Sequence, residues 1–157
     1  MRFATKQDIE APIRAVFDSL TNFETWERAA MRRGAEVDRI DRMAGIGPGM
    51  VWQTQFQYRS KARKLRLELT HIETPHHLAF AALSDVLEGT AQIELLELGT
   101  KRTRMQVVVE ITPRTLTARL FLQSLRLARA RIDRKFDQRV AQFAALIETQ
   151  HRTMKPF

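Results

Sequence analysis

LTARLFLQSLRLARARIDRKFDQRVAQFAALI, residues 116–147, decides the fold of this 157-residue chain. At about 100° per residue, Phe121, Leu125, Ala128, Ile132, Phe136, Phe143 and Ile147 fall within one limited arc, so the stretch reads as a single long helix with an apolar stripe. Leu116, Leu120 and Leu127 lie on nearly the opposite side. The first half is therefore apolar on two faces and the second half on one. From Arg114 to Arg139, eight basic residues stand against Asp133 and Asp137, a net +6 out of a chain total of +8. A helix of this length at the end of a chain of strands is expected to lie across the sheet those strands form.

The strands are read from alternation. Met1 to Glu10 carries Phe3, Thr5, Gln7 and Ile9 on one side. Ala11-Pro12 ends it, and proline suits the first turn of a following helix, Pro12 to Leu20, because its missing N–H has no partner there. Thr21-Asn22 breaks that helix and caps a second, Phe23 to about Arg32, whose apolar side is Phe23, Trp26, Ala30 and Met31. Gly34 follows its end. Ala35 to Met43 is a polar, edge-like strand. Gly45-Ile46-Gly47-Pro48-Gly49 precedes a strand rather than a helix, so it reads as a connection and not as a phosphate loop.

Met50 to Ile72 is a hairpin. With a two-residue turn at Ser60-Lys61, Trp52 faces Leu69, Thr54 faces Leu67 and Phe56 faces Leu65, while Gln53, Gln55 and Gln57 face Glu68, Arg66 and Lys64. One register thus sorts both strands into an apolar and a polar face. Leu78 to Leu83 is a short strand. Glu88 to Leu98 and Arg102 to Ile111 form a second hairpin around Gly99-Thr100-Lys101, pairing Leu95 with Met105, Ile93 with Val107 and Ala91 with Val109.

The composition is 44% apolar and 28% charged, normal for a soluble globular protein of one domain, here residues 1–157. There is no run of ~18 apolar residues to cross a membrane. The N-terminal MRFATK lacks an apolar signal core. Cysteine is absent, which removes disulfides, thiolate metal sites and a cysteine nucleophile and fits a cytoplasmic location. The charge of +8 favours anionic partners.

Strand, two short helices, about six antiparallel strands and a long C-terminal helix is the order of the helix-grip fold. The residues Ile9-Glu10-Ala11-Pro12 with Val16-Phe17, Trp26, and Gly47-Pro48-Gly49-Met50-Val51-Trp52 resemble the START-like (SRPBCC) superfamily of polyketide cyclases, coenzyme Q-binding proteins and pollen-allergen-like proteins, and most of all its small bacterial members. The resemblance covers essentially the whole chain. It implies an α+β architecture: a curved antiparallel sheet of about seven strands, with the long helix over its concave face and an apolar cavity between them for a lipid, quinone or polyketide-like molecule.

On that reading Trp52, Thr54, Phe56, Leu67, Leu69, Phe80, Ile93, Val107, Val109, Phe121 and Leu125 line the ligand site; the alternative is a filled core. Thr54 either orients a ligand head group or bonds to neighbouring backbone. His71 keeps the parity of Leu67 and Leu69, so it points inward at the strand's end as a conceivable acid or base. His76 and His77 are adjacent on an extended chain and point opposite ways, which disfavours a shared metal. Ser19, Ser60, Ser84 and Ser124 sit in no nucleophile turn, and no HExxH-like spacing occurs. No catalytic residue, metal ligand or cofactor is assigned. The expected role is a carrier or sensor of a hydrophobic ligand. The alternatives are a cyclase or aromatase, or an interaction module that uses the basic C-terminal helix on a membrane, ribosome or protein. Leu116, Arg119, Leu120, Arg126 and Leu127 are the candidate surface contact, for an anionic membrane or a homodimer; the alternative is a solvated face whose leucines pack on the Thr21–Gly34 region or a loop. Nucleic acid is a weaker use of the charge, its nearest match being Tyr58 with Arg59, Lys61, Arg63 and Lys64.

Overall fold

The structure is a computed structural model that describes residues 1–154; the last three residues of the span assigned to one domain lie outside it. The chain runs β1 (Arg2–Ile9), α1 (Ile13–Leu20), α2 (Phe23–Arg32), β2 (Glu36–Arg39), β3 (Val51–Tyr58), β4 (Lys61–Glu73), β5 (His77–Leu83), β6 (Leu87–Gly99), β7 (Arg102–Pro113), α3 (Leu116–Ser124), a 3₁₀ turn (Leu125–Ala128) and α4 (Arg129–Met154). The seven strands form one antiparallel sheet in the order β1-β7-β6-β5-β4-β3-β2. Every neighbouring pair except β1–β7 is consecutive in sequence, as short connections favour. With the helices, this is the α+β helix-grip architecture.

The buried core lies on one face of the sheet. Ile9, Leu69, Leu78, Leu95 and Met105 meet Val16, Phe17 and Leu20 of α1 and Ala144 and Ile147 of α4. Each of these strand residues is an inward-facing position of its own strand, as a half-buried sheet requires. Buried Thr103 donates its hydroxyl to the carbonyl of Ala11 at 2.8 Å, tying β7 to the corner after β1.

Three local readings are corrected by the structure. The β3–β4 turn is Arg59-Ser60 rather than Ser60-Lys61. Both residues have positive φ (51° and 63°), the twist that suits a two-residue hairpin turn. Trp52 therefore pairs with Leu67, Thr54 with Leu65 and Phe56 with Arg63. The register is displaced by two, so the faces are unchanged and only the partners differ. Next, the register of β4 against β5 shifts between Leu69 and His71, leaving Thr70 as a bulge. The extra residue reverses parity, so His71 points away from the core while Ile72 packs against it. Finally, the C-terminal helix is not continuous and does not end near Ile147. Thr115 Oγ1 accepts from the Ala118 N–H and caps α3, a role that threonine favours. Ser124 then donates its hydroxyl back to the Phe121 carbonyl at 2.6 Å, a bond that bends helices. A 3₁₀ turn follows, advancing about 120° per residue instead of 100°, and α4 continues to Met154. The residues Phe121 to Ala128 consequently do not keep phase with Ile132 and Phe136.

The glycine-rich segment is a connection between β2 and β3. Gly49 adopts φ +101° and donates its N–H to the Leu69 carbonyl at 2.9 Å. The segment is held by Asp41, whose carboxylate accepts both arms of Arg39 at 2.7 Å and the N–H groups of Met43 and Val51. These bonds hold Asp41 far below the usual carboxylate range, led by the Arg39 guanidinium and followed by the Val51 N–H; Arg39 is raised in turn, chiefly by its bond to Asp41.

Candidate functional site

Between the concave face and the helices lies a cavity of about 450 Å³, within the usual range for small-molecule sites. The sheet supplies Trp52 and Thr54 from β3, Leu67 from β4, Phe80 from β5, Ile93 from β6, and Met105 and Val107 from β7. The second wall is α4, through Phe136, Arg139, Val140 and Phe143. Phe23, Trp26, Glu27 and Ala30 of α2 complete it, with Leu20 and Val37 at the edges. None of the residues of α2 is fully buried. Its apolar side spans a space rather than pressing on a filled layer.

Aromatic rings fix the shape of this wall. Phe23 meets Trp52 edge-on at 5.1 Å and Phe80 at 6.3 Å, and Trp26 stacks against Phe143 at 4.5 Å, joining α2 to α4. Such tilted and edge-to-face pairs are favoured by the ring quadrupoles. The Trp52 indole N–H donates to Glu27 Oε1 at 3.0 Å, and the Arg39 guanidinium sits 5.4 Å from its ring centre. Trp26 donates its own N–H to the Leu20 carbonyl.

Six of the eleven candidate ligand residues line the cavity: Trp52, Thr54, Leu67, Phe80, Ile93 and Val107. The other five do not. Leu69 is fully buried in the core beneath the cavity. Val109 is on the same face but opposite Phe3 of β1, beyond the cavity. Phe56 is 37% exposed and lies toward the hairpin tip. Phe121 and Leu125 belong to α3 and the 3₁₀ turn, and the Phe121 ring is covered by Arg59 at 5.1 Å. Phe136 was legible both on the apolar helix stripe and as an aromatic of the cavity wall; Phe23, Trp26 and Phe143 were legible as apolar helix faces but were not assigned to a cavity. Met105 followed from the same strand parity as Val107 without being named for the site, and Val140, Glu27 and Arg139 were not singled out for it.

The polar groups are few. Thr54 Oγ1 donates to the Leu65 carbonyl at 3.0 Å, the backbone alternative for that hydroxyl. Glu27 is engaged by Trp52. Arg139 has no ion-pair partner among the described residues. His71 lies on the opposite face of the sheet, 4.9 Å from the His77 ring and 3.8 Å from the Glu73 carboxylate. Among the described residues no cluster of His, Asp and Glu is arranged to hold a metal, and no helix is long and apolar enough to cross a membrane. The candidate surface contact is elsewhere: Leu116, Leu120 and Leu127 stand in solvent with Arg119 and Arg126 beside them.

Solved structures repeat this fold. A Streptomyces aromatase/cyclase superimposes with a TM-score of 0.65 at 13% identity, over 99% of this chain and 96% of that one. A Thermus thermophilus protein reaches 0.68 at 14%, over 99% and 100%. A START superfamily protein from Mycobacterium smegmatis reaches 0.58 at 9%, over 85% and 95%. At such identities the likeness is one of fold. No curated protein matches the sequence. Residues 1–148 match the family described as polyketide cyclase / dehydrase and lipid transport, and the chain belongs to that family, within the START-like superfamily.

Proposed function

We propose that this protein binds a small hydrophobic molecule in the cavity between sheet, α2 and α4 and acts as a carrier or sensor. One observation carries the reading. The cavity of about 450 Å³ is walled almost entirely by aliphatic and aromatic side chains, and burying apolar surface there is worth about 25 cal/mol per Å². A cyclase would need polar side chains converging on a reactive chain to move protons. Thr54 already bonds to backbone, Glu27 is engaged by Trp52 and His71 is across the sheet, so the carrier reading is the better supported. Arg139 provides a cation on an otherwise apolar wall, and a ligand with an anionic end gains a charge-assisted bond there.

The test has two arms. Native mass spectrometry of protein taken from cells is expected to find a co-purified apolar ligand. Titration with a fluorescent fatty-acid analogue is expected to give a Kd on the order of micromolar, equivalent to about 8 kcal/mol. Val140→Trp, which fills the cavity from α4, is expected to weaken that binding at least about tenfold, since well-filled space rejects added volume. Unchanged binding in Val140→Trp, or none in the wild type, overturns the proposal.

A further inference from the structure

We propose that the outer face of α3 and the tip of the β3–β4 hairpin together form a docking surface for an anionic membrane. The argument starts from the two sides of α3. Its buried residues are Ala118 and Leu122, one turn apart. At about 100° per residue Leu120 lies roughly opposite both, with Leu116 one turn before it on the same side. These leucines are 70% (Leu116) and 58% (Leu120) exposed, and Leu127 in the 3₁₀ turn is 98% exposed. The fold therefore anchors α3 by one edge and holds a leucine ridge in solvent. Isolated surface leucines need no explanation, but a ridge of three with a basic border does.

The border comes from two distant segments. Residues 56–67 hold five cations and no acid, and residues 114–132 hold five cations and no acid. The structure brings them together, since Arg59 of the hairpin lies over the Phe121 ring of α3 at 5.1 Å. Arg66 pairs with Glu68, Arg129 with Asp133, and Arg114 bonds to the Ser84 carbonyl. Arg59, Lys61, Lys64, Arg119, Arg126 and Arg131 are exposed and have no ion-pair partner among the described residues. Exposed leucines between unpaired cations match the layered chemistry of a bilayer surface, acyl chains beneath anionic head groups. A nucleic acid would use the cations but has nothing to cover the leucines. Of the two exposed rings near the tip, Tyr58 already lies against Arg59 at 5.5 Å, and Phe56 is the less exposed.

The experiment is co-sedimentation of the full chain with phosphatidylcholine vesicles, with and without phosphatidylglycerol. Binding is expected only to the anionic vesicles and is expected to fall at high salt. Neutralising Arg119 and Arg126 together with glutamine is expected to weaken it roughly thirtyfold, about fivefold per cation. Leu120→Gln and Leu127→Gln are each expected to weaken it about tenfold. All these positions are exposed, so thermal melts should match the wild type. Absence of binding to anionic vesicles overturns the proposal. So does binding that ignores the leucine substitutions. A self-association lost in Leu120→Gln without vesicle binding also overturns it and makes a second copy the occupant.

Discussion

The two parts of the C-terminal helical segment, α3 and α4, both carry large apolar side chains, and these meet opposite fates. In α4 the apolar side is covered: Ala144 and Ile147 are buried against the core, and Phe136, Val140 and Phe143 close a cavity. In α3 only Ala118 and Leu122 are buried, and Leu116 and Leu120 face water. The 3₁₀ turn at Leu125–Ala128 separates them. It frees α3 from the phase that α4 must keep against the sheet. Hydrophobicity in a helix is thus no guide by itself to what the residue touches; the phase set by the local hydrogen bonding decides.

The comparison can be broken most decisively through stability. Ile147→Ala removes a fully buried side chain and is expected to cost about 2–5 kcal/mol in urea denaturation. Leu127→Ala is expected to stay within about 0.5 kcal/mol of wild type. Equal costs would mean that the leucine ridge is covered after all. A smaller effect sharpens the cavity half. Arg139→Leu is expected to weaken a carboxylate-bearing apolar ligand about tenfold, the value of one charged hydrogen bond of roughly 1.5 kcal/mol, and to leave its neutral alcohol analogue nearly unchanged. Equal losses for both ligands would remove Arg139 from head-group recognition.

The acid response separates a third region, the Asp41 corner, from both. Asp41 is depressed in the folded state by Arg39 and the Val51 N–H, so its contribution is complete above the ordinary carboxylate range near pH 4 and is lost as pH falls below it. Melts of Asp41→Asn are therefore expected to lose part of the wild-type decline in Tm between about pH 4 and pH 2. Identical slopes would exclude this anchor. The smallest effect is expected from Thr54→Val: about 1 kcal/mol of stability from the lost bond to Leu65, with ligand affinity changed less than about twofold. A large affinity loss would restore Thr54 as a ligand contact.

Much of the fold was legible because periodicity survives small errors of register. In β6–β7 the pairing of Leu95 with Met105 and Ile93 with Val107 is as the glycine at position 99 indicates. In β3–β4 the partners were displaced by two because Arg59 and Ser60 adopt positive φ without glycine or asparagine to announce it. A displacement of two leaves each side chain on its own face. The bulge at Thr70 has no such protection: one extra residue moved His71 from the inward to the outward side, and no local residue signals it. The candidate site was half legible for a related reason. Trp52, Leu67 and Ile93 follow from strand parity, whereas the contributions of α2 and α4 depend on where the helices are placed. The meeting of Arg59 with Phe121, some sixty residues apart, is invisible to any local pattern.

The pairing of β1 with β7 has a consequence for how the chain reaches its fold. Arg2 pairs with Glu110, and the Met1 and Ile111 backbones exchange hydrogen bonds. The first strand therefore has no partner until the seventh has been made. At a synthesis rate of about 5–20 residues per second, Phe3, Thr5 and Ile9 wait on the order of ten seconds for their neighbours. The other six strands pair in sequence and can zip behind the ribosome. The first strand is thus among the last of the seven to be incorporated.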